Sequence, residues 1–261
     1  MASPAISIEG VDKRYIGRGR EVVALDHVSL KIEEGEFVAF VGPSGCGKST
    51  LLNMIAGIIP MTSGSIVHDG RPVTAINRHV GYLTQADSVL PWRTVEQNVG
   101  LPLEYRGVAA SERQKRVAEM LELVDLKGFG KAFPKELSGG MRKRVALAQM
   151  LAYGPNTLLM DEPFGALDAQ LKLVMQQQLL RIWQEQKKTI VFVTHDLAEA
   201  IALASRVIVF SGRPGKIKYV ERIDIPYPRD VFKVRFLPAF EAAYDNLWRE
   251  LSPEIAKGEE L

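Results

Sequence analysis

The sequence has 261 residues, 46% of them hydrophobic and 25% charged, with 33 Lys and Arg against 31 Asp and Glu. A formal charge of +2 without long single-sign runs argues against a nucleic-acid partner, and a single cysteine, Cys46, excludes an internal disulfide. Residues 1–6 lack the basic and apolar regions of a signal peptide, and no uninterrupted apolar run approaches the ~18 residues of a membrane span. The expectation is a soluble chain whose membrane role, if it has one, comes through a partner.

Residues 5–9 alternate apolar and polar and predict a first strand; Val28, Leu30 and Ile32 predict a second. Tyr15 falls between them in a segment rich in Gly and Arg (Gly17-Arg18-Gly19-Arg20). Its ring could stack on a nucleobase, although local sequence alone reads as well as a surface or core tyrosine. A short apolar run, residues 36–41, then leads into Gly42-Pro43-Ser44-Gly45-Cys46-Gly47-Lys48-Ser49-Thr50, and the apolar residues 51–57 follow as a helix. The nine-residue stretch fits G-x-x-x-x-G-K-[ST] at every fixed position, and it lies between strand and helix, where that pattern has physical meaning. Glycines let several backbone N–H groups turn inward onto phosphate oxygens, and the helix N-terminus adds partial positive charge. Lys48 would reach the β- and γ-phosphates, and the Ser49 hydroxyl would bind Mg²⁺. Cys46 is either a small residue filling the loop or a thiol favoured by the helix terminus.

Residues 65–70 predict a strand closed by an Asp-Gly turn, and 80–85 another strand with Gln85 at its end. From 86 to 137 the pattern becomes helical, with Thr94 as one cap, Ser111–Gln114 as a capping-box pattern, and Val117, Met120, Leu121 and Val124 on one face. Ser138 caps a helix over 141–153, and Gly154-Pro155 stops it. Strands at 157–160, 189–193 and 206–210 alternate with helices at 168–186, with Leu171, Val174, Met175, Leu179 and Ile182 at helical spacing, and at 197–204. Such alternation predicts an α/β fold with a mainly parallel sheet, whose ligands bind beyond the carboxyl ends of the strands. Gly42, Gln85, Asp161 and His195 all stand at that end. The tail holds an extended Pro-rich segment, 223–229, and an amphipathic helix around 236–251.

Two adjacent acids, Asp161 and Glu162, follow the apolar strand 157–160 and would repel each other unless a cation sits there. Asp161 reads as a Mg²⁺ carboxylate and Glu162 as the group that polarises a water for attack on a γ-phosphate. His195 can hydrogen-bond the γ-phosphate or hold the water, and the Gln85 amide can ligate Mg²⁺ or orient water. Ser138-Gly139-Gly140 makes a second amide cradle at a helix N-terminus. One triphosphate needs only one cradle, so each nucleotide is expected to be clamped between two copies of the chain.

In this order the phosphate loop at 42–50, Gln85, the turn at 137–141, the acid strand at 158–162, Asp168 in Ala166-Leu167-Asp168, and His195 resemble the ATP-binding-cassette (ABC) ATPases across 5–212. That resemblance implies a P-loop NTPase core with an antiparallel β subdomain and an inserted α-helical subdomain. The core and β subdomain would occupy about 1–85 and 155–212, the helical arm about 86–154, and a C-terminal extension about 213–261. It also implies Tyr15 as the adenine-stacking aromatic, Glu162, His195 and Lys48 as catalytic groups, Ser49, Gln85 and Asp161 as metal ligands, and Asp168 as a cross-dimer contact, with ATP and Mg²⁺ as cofactors. Leu90–Val95, Pro102–Val108 and Arg213–Ile217 look most like ATPase subunits of bacterial importers for nitrate, sulfonates and taurine. In these, permease subunits would dock near Gln85–Thr94, Trp92 included, at the cytoplasmic face of the inner membrane, with a solute-binding protein acting indirectly. Met141 stands where the family commonly has Gln, a departure the nitrate and sulfonate branch shares.

The alternatives are a non-transport cassette ATPase, or an importer ATPase for bicarbonate, an aromatic acid or a pyrimidine precursor. No long coiled-coil insertion or second cassette supports the DNA-maintenance or translation types, and no N-K-x-D guanine motif supports a GTPase.

Overall fold

The five residues Phe37–Val41 are all buried, as are Thr157–Asp161 and Thr189–Val193. Strands with no exposed face must be covered on both sides, and that requirement sets the architecture. The computed structural model describes residues 4–17, 20–85, 88–165 and 167–259. Arg18 and Gly19 of the Gly/Arg-rich segment, residues 86 and 87, and Ala166 beside Asp168 lie outside them, as do residues 1–3, 260 and 261.

Two sheets form. The first is antiparallel, with β1 (Ile6–Gly17) between β2 (Arg20–Ile32) and β4 (Ser63–His68), and the short β5 (Arg71–Pro72) at its edge. The second contains β3 (Phe37–Val41), β6 (Val80–Leu83), β7 (Thr157–Asp161), β8 (Thr189–Val193), β9 (Arg206–Phe210) and β10 (Ile217–Arg222), in the order β10-β9-β3-β8-β7-β6. Every pair is parallel except β10 on β9. The alternation of β3 shows how the layers share it. Val38 and Phe40 pack with the first sheet and α1 (Lys48–Ile55), while Phe37, Ala39 and Val41 pack with the helices of the other face. Full burial of a Phe or Leu here contributes roughly 1.5–3 kcal/mol.

Three helices build the insert: α2 (Val95–Tyr105), α3 (Ala110–Leu123) and α4 (Gly139–Ala152), and all three pack together. Thr94 caps α2 in a full capping box: Gln97 N–H donates to Thr94 Oγ1, and Thr94 N–H donates to Gln97 Oε1. The expected box at Ser111–Gln114 does not form, because α3 begins earlier, with Arg113 N–H already donating to the Ala109 carbonyl. Its apolar face is the expected one. Asn98, fully buried, exchanges hydrogen bonds with the backbone of Leu90 and donates to the carbonyls of Arg93 and Thr94, which fixes the loop that carries Trp92.

The remaining helices are α5 (Ala169–Gln186), α6 (Leu197–Leu203) and α7 (Pro238–Glu259). On α5, Met175, Leu179 and Ile182 are buried as expected, but Val174 is exposed because Leu180 takes the inward direction instead. The tail departs most from the sequence reading. Residues 217–222 form an edge strand, and α7 runs through Pro253 well beyond residue 251. The extended segment 223–229 closes on Arg229, which is 4% exposed. Its guanidinium donates to the carbonyls of Ile201 and Ala204 at 2.9 Å, satisfying the C-terminal end of α6, and to Ile225 at 2.8 and 3.0 Å, while it stacks on Tyr227. Removing it strands several buried carbonyls, so Arg229→Ala should cost about 3 kcal/mol. Urea unfolding followed by circular dichroism checks this, and a midpoint equal to that of the parent would refute it. No described helix is long and apolar enough to cross a membrane.

Candidate nucleotide site

Because β3, β6, β7, β8 and β9 run parallel, their carboxyl ends form one edge, and the chain segments leaving them converge there. A cavity of about 350 Å³ opens at that edge, and Tyr15, Ser44, Lys48, Ser49, Gln85 and Glu162 are among its lining residues. The phosphate loop makes its floor. Gly47, the N-cap of α1, sits at φ 105°, a left-handed conformation that a side chain would strain, and a Cβ there would also press on Leu25. No acidic residue occupies the first turn of α1, so the positive end of the helix is left to act on an anion. Lys48 is buried, and its Nζ donates to the carbonyls of Gly42 and Pro43 at 2.8 Å. Both carbonyls are neutral; Nζ also reaches Cys46 Sγ at 3.5 Å, and its charge acts on the Asp161 carboxyl across the site. Cys46 is 1% exposed and packs in the core. It fills the loop, and burial removes the case for a reactive thiol.

Across from the loop, the Ser49 hydroxyl donates to Asp161 Oδ1 at 3.0 Å. Burial pushes the Asp161 carboxyl above its ordinary range against that hydrogen bond, and the adjacent Glu162 charge pushes the same way. A carboxylate held under such pressure beside a hydroxyl is a hard-oxygen donor set. Among the described residues no group of three or more His, Cys, Asp or Glu could hold a metal alone. A cation here would take its other ligands from phosphate, water or a neutral side-chain oxygen, as Mg²⁺ commonly does. The residues fit Mg²⁺ and a polyphosphate together.

Glu162 is the best-defined side chain of the rim. Its Oε2 lies 3.4 Å from Gln85 Nε2 and 3.3 Å from His195 Nδ1. Its backbone sits at φ 46°, a left-handed conformation rare for Glu, held by Glu162 N–H donating to the Val193 carbonyl. The main chain of Gln85 accepts a hydrogen bond from Lys143 Nζ on α4, so the helical insert grips this residue directly. Behind His195, Lys172 on α5 bridges Asp196 at 2.9 Å and Glu199 at 2.7 Å. Burial alone would raise the Asp196 carboxyl, but the Lys172 contact and the amides it caps hold it below its usual range.

The remaining expected residues lie elsewhere. Ser138 caps α4 by accepting from Met141 N–H, and Gly140 packs against Leu167 and Leu171, next to Asp168, the N-cap of α5. None of 138–140 lines the cavity. The second cradle and Asp168 therefore share a patch of their own.

A family model described as ABC transporter matches residues 25–165, more than half of the chain. The chain belongs to the ABC transporter family. As a member it is the ATP-binding, ATP-hydrolysing subunit of a transporter, working with ATP and Mg²⁺. This cassette is 45% identical over 224 residues to the aliphatic sulfonates import ATP-binding protein SsuB of Bacillus cereus, an alignment covering 86% of this chain and 88% of that one. It is 50% identical over 211 residues to the taurine import ATP-binding protein TauB of Rhizobium johnstonii, covering 81% and 80%. Among solved structures it resembles an ATP-binding cassette in a dimeric post-hydrolysis state bound to ADP and Pi, with a TM-score of 0.77, 33% identity, and coverage of 85% of this chain and 100% of that one.

The cassette's cavity also includes residues that sequence reasoning did not place there: Val22, Ala24 and, the one with a charge, Arg213. The rule that found Gln85, Asp161 and His195 applies to it equally. It stands just past the end of β9, on the same edge of the sheet.

Proposed function

We propose that this ATPase powers import of a small solute of the sulfonate, taurine or nitrate type, as a homodimer on two membrane permease subunits. The observation that carries the reading is Glu162, a carboxylate on the cavity rim between Gln85 and His195 and facing the loop that holds Lys48. The printed names of the sulfonate and taurine relatives support the solute class. The separation of the 138–140 turn and Asp168 from the cavity supports a site completed by a second copy.

In this reading Tyr15 stacks on adenine and residues 42–50 cradle the phosphates, with Lys48 on the β- and γ-groups. Ser49, Asp161 and Gln85 would hold Mg²⁺, which supplies a Lewis acid that draws charge off the phosphate oxygens. Glu162 takes a proton from the attacking water, and His195 steadies the γ-phosphate. The partner subunit's Ser138 and the amides of its turn close over the same group, and Asp168 meets the facing copy. Residues 1–85 and 155–212 serve as the nucleotide-binding core, 86–154 as the arm that answers to Gln85, and 213–261 as an extension. The permease sits against 85–94 at the cytoplasmic face of the inner membrane and receives solute from an extracytoplasmic binding protein. Uptake of labelled taurine, alkanesulfonate and nitrate by vesicles carrying the co-purified transporter tests the solute class. ATP-driven uptake of none of the three would overturn it.

Trp92 is 70% exposed, so it is no core aromatic, and Asn98 holds its loop rigid. A large exposed ring on a fixed loop is suited to anchoring a partner. Trp92→Ala should cut co-purification of the permease at least tenfold while moving stability by no more than about 0.5 kcal/mol. Undiminished recovery of the permease on an affinity column would remove Trp92 from the contact.

A further inference from the structure

The segment joining β9 to β10 lies against the phosphate loop, and three contacts fix it there. Gly215 N–H donates to the Ala24 carbonyl at 2.9 Å, and the Gly215 carbonyl accepts from Asp26 N–H at 3.1 Å, which stitches the segment to β2. A Cβ at Gly215 would run into the Cys46 carbonyl, so here the two backbones touch. On the other side α7 holds it: Gly212 N–H donates to Glu254 Oε2 at 2.9 Å, and Lys218 pairs with Glu254 Oε1 at 3.2 Å. The C-terminal extension and the phosphate loop are thus joined through residues 211–216.

Arg213 projects from this clamp over the loop. Its Nη2 and Nε both donate to the Gly45 carbonyl, at 3.1 and 3.3 Å. The acceptor is neutral, and among the described residues no carboxylate pairs with the guanidinium. The remaining N–H groups and the whole charge belong to an exposed side chain that lines the same cavity as Tyr15, Lys48 and Ser49. A planar fork of donors suits carboxylate or phosphate oxygens, and beside an amide cradle at a helix N-terminus it suits phosphate.

We propose that Arg213 is a further nucleotide-binding residue: anchored on the Gly45 carbonyl, its guanidinium donates to a phosphate oxygen of the nucleotide held by the loop. The proposal rests on the cavity being the nucleotide site. It gives the extension a part in binding, since α7 and β10 set where the guanidinium stands.

Calorimetric titration of the full-length chain with Mg–ADP tests it, with no turnover to confuse the reading. Arg213→Ala and Arg213→Gln should each weaken binding about tenfold. The Gln side chain keeps a donor for Gly45 but carries no charge, so it separates phosphate recognition from loop clamping. ADP binding by Arg213→Gln at parental strength would overturn the proposal by reducing the residue to a clamp, and so would parental binding by Arg213→Ala. If removing the clamp lowers the melting temperature of the nucleotide-free Ala variant, the Gln variant decides. A parent chain that binds no ADP at all would instead overturn the nucleotide-site reading itself.

Discussion

Glu162→Gln should reduce ATP hydrolysis about 10³-fold, while ATP still binds and the protein accumulates as an ATP-bound dimer. The size follows from what is lost. Positioned general bases contribute on the order of 10²–10⁴ in rate, and Gln matches the volume of Glu without its basicity. The amide can still meet Gln85 Nε2, which lies 3.4 Å from the native carboxylate, so the rim keeps its shape. Loss of one negative charge beside Asp161 also eases the repulsion on that buried carboxyl and favours retention of the nucleotide. Phosphate release measures the rate, and size-exclusion chromatography with and without ATP measures the dimer. Hydrolysis at the parental rate would remove Glu162 from the role of base.

Lys48→Ala comes second, with hydrolysis down about 10²–10³-fold and nucleotide affinity weakened with it. In the proposed mechanism Lys48 differs from Glu162 in acting on the ground state as well as on the transferred group. Its ammonium is buried and bonded to the Gly42 and Pro43 carbonyls, so it shapes the loop as well as charging it. A melting curve of the nucleotide-free variant separates the two contributions. A stable variant that still binds and hydrolyses ATP like the parent would take the lysine out of the mechanism.

The site was largely legible in the sequence because its residues follow strands. A buried parallel strand is a short apolar run, its carboxyl end is the binding edge, and the residue found there is exposed to the ligand. That logic located Gln85, Asp161 and His195 without coordinates. It failed where the signal was not periodic. β10 has no fully buried residue, so its run of residues offers no apolar stretch to notice. Tyr15 could not be told from a surface tyrosine until pairing of β1 with β2 carried it to the cavity. Pro253 would have ended α7 by local rules, yet the helix continues through it, held by tertiary packing. The Ser111 pattern matched a capping box but lies inside α3, where it caps nothing. No local pattern encodes the left-handed backbone of Glu162, which depends on the neighbouring strand holding its N–H.

That left-handed turn has a consequence for how the protein can change. Asn and Gly tolerate the conformation far better than Glu, so either would relax the backbone at the position proposed to supply the general base. Selection for heat resistance alone would therefore drift toward an inert ATPase, and only selection for transport keeps the costlier residue in place. Laboratory evolution of this chain should screen for turnover at every round, because one of its five left-handed non-glycine positions among the described residues is the proposed base.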